Sequence, residues 1–309
     1  MSTKNHTHPK GVRIRVPAST ANLGAAFDAV GLALQLYLRL EMRELDEGPV
    51  RIEFIGEDAH LVPTDDSNLI WRTMSEIAEE AGCALPALTI KAENEIPITK
   101  GLGSSASARL AAAAAANFFC DLNWESERLL EIVTLREGHP DNVAPSLYGG
   151  LVASIGGDKI LCSKSNFPSE WTAVTVTPDY ELETELARSV LPSEVPHRDA
   201  IYNVQRTAFL MAQIVQGRRE GLREAMSDCL HQPYRSKLLP GLKEVLDMEN
   251  CAGLLGVALS GAGSTVVAFA DSNEAEIGVR IADIFSSHGL KSRTRFLKAD
   301  NTGLVLEAL

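Results

Sequence analysis

The sequence predicts an α+β protein in two parts, each mixing strands with helices. Three observations lead there. Apolar residues alternate with period two near the start, at 12–19, 31–45 and 50–56, as half-buried strands require. Helical spacing takes over at 67–82, 126–138 and 198–216. A second set of strands opens with "WTAVTVTPD" at 171–179 and is again interleaved with helices. The change of character falls near residues 160–170, which gives parts of 10–163 and 164–309. The 309 residues suit about two domains and can bury a core without metal or disulfide staples.

The elements follow in order. "VRIRVPAS" is a strand closed by Pro17, and "GLALQLYLRLEMREL" and "VRIEFIG" alternate in the same way. The first two flank the loop "STANLGAAFDAVG", which carries Asn22 and Asp28. In "SNLIWRTMSEIAEEAG" Ser67 can cap a helix and Gly82 can end it. "ALTIKAENEIP" at 87–97 is a strand running into a proline, and the alanine run after "ITKGLGSSASARL" is a helix, because Ala has the best helix propensity. "SERLLEIVTLREG" is amphipathic. "HPDNVAPSLYGG" turns at Pro140 and makes a short helix ended by Gly149. Helices are expected at 198–216, 218–230 and about 240–248. "LLGVALSGAGSTVVAFAD" reads as strand, glycine turn, strand, and a helix in "EAEIGVRIADIFSSHG" precedes a strand in "KSRTRFLKAD".

Composition narrows the function. With 29 Lys and Arg against 41 Asp and Glu, the net charge is 29 − 41 = −12, and no basic block is present. That argues against nucleic acid as a partner. A small phosphate stays open, since backbone N–H groups alone can hold one. The five cysteines are odd in number, widely spaced and form no CxxC. Cys120 and Cys251 read as buried thiols, and a reducing, cytoplasmic setting is expected. His6 and His8 lie in a polar N-terminal stretch that reads as a frayed tail rather than a metal site. The most apolar stretch, 106–120, is broken by Arg109 and Asn117 and falls short of the ~20 residues of a membrane helix.

Two constellations carry chemistry. In "PITKGLGSSASA" at 97–108 glycines free the backbone to approach a ligand, and serines open a helix whose first N–H groups are unpaired and partly positive. This suits a di- or triphosphate. It is neither a Walker A loop, since Lys100 precedes the glycines, nor a Rossmann fingerprint. A tight strand-to-helix turn with capping serines is the plainer alternative. In "REGHPDNVAPSLYGG" at 136–150, Glu137, Asp141 and Asn142 stand close together, and a carboxylate here could serve Mg²⁺ beside phosphate oxygens. A solvated helix end and a turn would explain the same residues. The glycine turn at 258–269 reads equally as a ligand loop or a hairpin, and Arg235, between two prolines, reads alone as a surface group.

Taken together, these segments resemble the GHMP kinases, the superfamily of galactokinase, homoserine kinase and mevalonate kinase. "PITKGLGSSASA" is similar to that family's ATP motif, "LSGAGSTVVAF" to its C-terminal glycine motif, and "VPASTANLGAAFDAVGLAL" to its N-terminal substrate motif. With "EGHPDNVAP", "HQPYR" and "ARSVLPSEVP" in order, the chain most resembles the homoserine kinase branch over nearly its whole length. It departs from that branch's pattern at Ser19-Thr20, where Thr-Ser is usual, at Ala25-Ala26, where Pro-Gly is usual, and at Ser264, where Pro is usual.

The resemblance implies a ribosomal S5 domain 2-like N-terminal domain and a ferredoxin-like C-terminal domain. It implies ATP over Pro97, Lys100, Gly101, Leu102, Gly103, Ser104, Ser105, Ala106 and Ser107, with Asn68 near the base and Mg²⁺ on Ser105 and Glu137. It implies L-homoserine as substrate, its ammonium on Asp28, its carboxylate on Arg188 and Arg235, and hydrogen bonds from Asn22, Asn142 and Thr184. Asn142 would lie nearest the reacting hydroxyl. Asp141 is a candidate base, although the branch favours transition-state stabilisation without one. A homodimer is left open. The alternatives are a kinase of another alcohol, such as shikimate or mevalonate, and a non-catalytic nucleotide-binding protein.

Overall fold

The computed structural model describes residues 10–249 and 251–309; His6 and His8 lie outside the described residues. Strands β1 (Gly11–Ala21) and β2 (Val30–Glu44) form a long antiparallel pair, with a register shift between Pro17 and Ala18, where Pro17 offers no N–H to the ladder. Next come β3 (Arg51–Gly56), α1 (Leu69–Glu80) and β4 (Leu88–Asn94). β3 and β4 are parallel, so α1 is the crossover that parallel strands need. Helices α2 (Ser104–Phe119), α3 (Ser126–Glu137) and α4 (Val143–Tyr148) are followed by a hairpin of β5 (Leu151–Ile155) and β6 (Leu161–Ser165).

The later part runs β7 (Thr172–Pro178), α5 (Thr184–Ser189), α6 (His197–Val215), α7 (Leu222–Ala225), α8 (Gln232–Arg235), α9 (Leu242–Asp247), β8 (Leu254–Leu259), β9 (Val266–Ala270), α10 (Glu274–Ser287), β10 (Ser292–Leu297) and β11 (Val305–Ala308). One seven-stranded sheet has the order β11-β1-β2-β4-β3, with β5 on β2 and β6 on β5; a four-stranded antiparallel sheet has the order β10-β7-β9-β8. The second order, fourth strand beside first and third beside second, is the ferredoxin-like arrangement.

Helix α2 is central. Ala111 to Ala116 are all buried, because a helix of methyl side chains can be enclosed on every side. Its neighbours α1, α3 and β1 supply the bulk, with Met74, Ile77, Leu130, Val133 and Val16 in one core cluster.

Several expectations need correction. The division at 163/164 falls inside β6, and β11 returns to pair with β1, so no single point divides the chain. Asn68, not Ser67, caps α1: its Oδ1 accepts from Ile70 N at 2.9 Å. The helix expected at 218–230 shortens to α7, whose N-cap is Gly221. Cys120 is not a buried thiol: it is half-buried and disulfide-bonded to Cys83, Cα to Cα 5.9 Å. Cys251 is also half-buried. The bridge ties the chain just after α1 to the end of α2, and it removes cysteine usage as an argument for a reducing compartment.

Candidate active site

A cleft of about 650 Å³ lies where the start of α2, the end of α3, the loop after β1 and the 260–263 glycine turn meet. Local sequence builds each wall. Gly101 and Gly103 have φ of +80° and +70°, and a Cβ on Gly101 would stand 2.2 Å from the Ser260 carbonyl oxygen. Only glycine lets this loop lie so close to the second glycine turn. The two loops are joined by Ser260 Oγ donating to Gly101 O (2.6 Å) and Thr265 N to Lys100 O (3.0 Å). A Cβ on Gly103 would come 2.2 Å from Ser19 Oγ. The N–H groups of Ser104, Ser105 and Ala106 thus open the helix at the cleft, where an anion gains most.

At the same end Ser105 Oγ donates to Glu137 Oε1 (2.7 Å), and Arg109 Nε stands 2.7 Å from the same oxygen. The Arg109 N–H is not aimed along that line, so the contact is a charge pairing rather than an aligned hydrogen bond. Asn68 forms a wall of the cleft, but its amide is committed as a helix cap and to Pro63 O (2.7 Å).

The opposite side holds the charged groups. Asn22 and Asp28 have φ of 75° and 55°, the left-handed region that Asn and Asp tolerate best among residues with a side chain. Asn22 Oδ1 accepts from Asp28 N (2.9 Å), and Asn22 Nδ2 donates to Gly261 O (2.9 Å). Asp28 takes a bidentate pair from Arg188, at 2.8 and 3.0 Å. The Arg188 pKa is raised: burial opposes its charge, and the hydrogen bonds and charge of Asp28 outweigh that. Arg235 is 1% exposed, not a surface group. Its Nε donates to Ala187 O (3.1 Å) and its Nη1 to Gly261 O (2.9 Å), while Nη2 has no protein partner among the described residues. Burial first, then the Arg188 charge, lowers its pKa to about 10.

Buried His231 orients Arg235. Burial lowers its pKa, so it is neutral. Its Nε2 lies 2.8 Å from Gly24 O, which can only accept. The proton is therefore on Nε2, and Nδ1 accepts from Arg235 Nη1 at 3.2 Å. Phe27 stacks on His231 and lies under both Arg188 and Arg235.

Between the two sides stand Asp141 and Asn142. Asn142 Oδ1 accepts from Ser19 Oγ (3.0 Å), which leaves its amide N–H₂ to donate. Buried Asp141 binds His139 Nδ1 at 2.6 Å. Burial opposes protonation of His139, but the hydrogen bond and charge of Asp141 prevail, and its pKa is raised.

The cleft gathers Asn22, Asp28, Asn68, Lys100, Gly101, Gly103, Ser104, Ser105, Ala106, Glu137, Asp141, Asn142, Thr184, Arg188 and Arg235. It does not gather Pro97, Leu102 or Ser107. Pro97 and Leu102 are buried, and Ser107 Oγ donates to Pro17 O (3.0 Å) beneath the sheet. Sequence reasoning missed Ser19, Phe27, Arg109, His139 and His231. His139 sits inside the acid-and-amide motif and was the one within reach; the others depend on contacts across 28 positions or more.

With the geometry in place, comparison with known proteins sets the class. The GHMP kinases N terminal domain matches residues 68–150 and the GHMP kinases C terminal matches 210–285, so a GHMP kinase fold carries this cleft. A homoserine kinase of Desulfitobacterium hafniense is 36% identical over 294 residues, covering 94% of this chain and 98% of the relative. One of Solibacter usitatus is 39% identical over 295 residues, covering 95% and 96%. The crystal structure of homoserine kinase from Cytophaga hutchinsonii superposes with a TM-score of 0.83 at 27% identity over 99% of each chain. The chain belongs to the homoserine kinase family of GHMP kinases.

Proposed function

We propose that the protein transfers the γ-phosphoryl group of ATP to the hydroxyl of L-homoserine, giving O-phospho-L-homoserine in threonine biosynthesis. One observation carries the reading: a glycine-serine helix start faces, across one cleft, a paired Asp28 and Arg188 beside buried Arg235. An amino acid's ammonium and carboxylate are complementary to that acid and those two guanidinium groups.

The helix start and Lys100 would hold the nucleotide phosphates, and Asp28, Arg188 and Arg235 would fix the amino acid by its charged end. Its hydroxyl would then lie toward Asn142, whose Oδ1 accepts from Ser19 Oγ and whose Nδ2 lies 3.4 Å from Asp141 Oδ1. Phosphoryl transfer passes through a loose transition state, so positioning and charge neutralisation supply most of the acceleration. Asp141 is held by His139 and serves better as an electrostatic anchor than as a base. Ser105 and Glu137 provide a hydroxyl and a carboxylate oxygen, the hard donors Mg²⁺ prefers, and no group of three or more His, Cys, Asp or Glu converges among the described residues. Phosphate oxygens and water would complete the shell. Magnesium would neutralise charge developing on the β- and γ-oxygens.

We further infer a cytoplasmic enzyme, because ATP is its donor, and a homodimer. The outward face of α6 presents Ile201, Val204, Ala208, Ala212 and Val215 with no charge among them. These positions are spaced symmetrically about Ala208, four and seven residues to either side, as an antiparallel pairing with a second copy requires. Val204→Glu should convert the dimer to a monomer by light scattering; an unchanged mass would refute this pairing.

The activity test is ADP release with Mg-ATP and a panel of homoserine, shikimate and mevalonate. Homoserine should exceed the others by at least about a hundredfold, since neither of them has an ammonium for Asp28. Equal rates on mevalonate would overturn the substrate, and no ADP with any alcohol would favour a non-catalytic nucleotide-binding protein.

A further inference from the structure

Arg109 is the group whose position the proposed chemistry does not yet use. It lies one helical turn beyond Ser105 on the same face of α2, lines the cleft, and is 19% exposed. Its Nε meets Glu137 Oε1, the oxygen that also accepts from Ser105, and its terminal nitrogens have no protein partner among the described residues. Glu137 is 12% exposed, so little solvent screens the pair.

Without Arg109, Glu137 would put an unbalanced carboxylate beside the helix start that is to receive a polyanion. That charge would repel the phosphates and attract a divalent cation before any nucleotide arrives. We propose that Arg109 is a positioning residue for nucleotide binding: in the empty site it balances Glu137, so that metal enters with the phosphates rather than ahead of them, and its guanidinium then turns to a phosphate oxygen. The missing alignment of its N–H with Oε1 suits a partner that must be exchanged. This rests on the kinase reading above, through the roles given there to Ser105 and Glu137.

The test measures binding, not turnover. ADP affinity is followed by calorimetry in EDTA and in Mg²⁺, and Mn²⁺ affinity of the nucleotide-free protein by electron paramagnetic resonance. Arg109→Gln should weaken ADP in EDTA by at least about tenfold but by less than about threefold in Mg²⁺, and should tighten Mn²⁺ by about tenfold. Arg109→Lys, which keeps the charge, should stay near the wild type in all three. Equal losses of ADP affinity with and without metal, or no change in Mn²⁺ affinity, would overturn the proposal. Glu137→Gln gives a second route if Arg109→Gln does not fold. With the carboxylate gone, the unbalanced Arg109 should tighten ADP in EDTA by several-fold, and an unchanged affinity would sink the idea. A wild type that binds no ADP in either medium would instead bring down the kinase reading itself.

Discussion

Gly31→Ala offers a sharp test of how the acid-amide pair is held. Gly31 lies in β2, between Ala21 of β1 and Val152 of β5, and both ladders fix its backbone. A Cβ there would stand 1.9 Å from the Asp141 carbonyl oxygen and 2.8 Å from Pro145 Cγ. Real Cβ contacts are essentially never below 3.0 Å, so the backbone must open by at least 3.0 − 1.9 = 1.1 Å. The atom in the way is main chain and cannot rotate aside. The turn carrying Asp141 and Asn142 must move, because β2 is anchored on both edges. A displacement of about 1 Å at a positioning group costs on the order of a hundredfold in rate. Overpacking should remove about 1–3 kcal/mol of stability. The assay is ADP release at saturating homoserine and Mg-ATP, with thermal melting beside it. We expect kcat to fall about a hundredfold. A variant with kcat within about threefold of wild type would refute the view that this turn is rigidly placed.

Three further outcomes are expected. Arg235→Ala should raise the homoserine KM strongly while sparing ATP; it should also lower the melting temperature, because it opens a buried space and removes the hydrogen bonds to the Ala187 and Gly261 carbonyls. Comparable losses of ATP and homoserine affinity would contradict its assignment. His139 has a folded pKa above its ordinary 6.5, so its stabilising contribution is complete below that value and is lost as pH rises through the folded pKa. Buried His231 acts in the opposite sense, so the comparison is the difference between wild type and His139→Gln: the melting-temperature gap between them should narrow from pH 6 to pH 9, and a constant gap would count against the His139–Asp141 pairing. Cutting the Cys83–Cys120 bridge with reductant or Cys83→Ser should cost about 3–4 kcal/mol by loop entropy over the 37-residue separation, read as a lower denaturation midpoint. Identical midpoints with and without reductant would show the bond to be absent in solution.

Much of the fold was legible locally. β2, α1, α3, β7, α6 and α10 fall within a few residues of the patterns read from the sequence, because each is long enough to repeat its own period. The elements that escaped are short or depend on distant partners. The β5–β6 hairpin is five residues a side and has little pattern to read. β11 has no reason to be a strand until β1 offers it an open edge. α8 spans four residues and holds Arg235 only because His231, Ala187 and Gly261 surround it.

The site divides the same way. By itself the sequence determined the helix-start half of the cleft: glycines followed by serines before a strong helix former produce an open helix start, because that depends on neighbouring backbone. Tertiary structure alone decided the other half. Asp28 and Arg188 are 160 positions apart, and Arg235 reads as an exposed cation until burial surrounds it with carbonyls. Charge pairing, the His231 tautomer and the Arg109–Glu137 contact depend on distances and solvent exclusion, which only packing of remote segments can set.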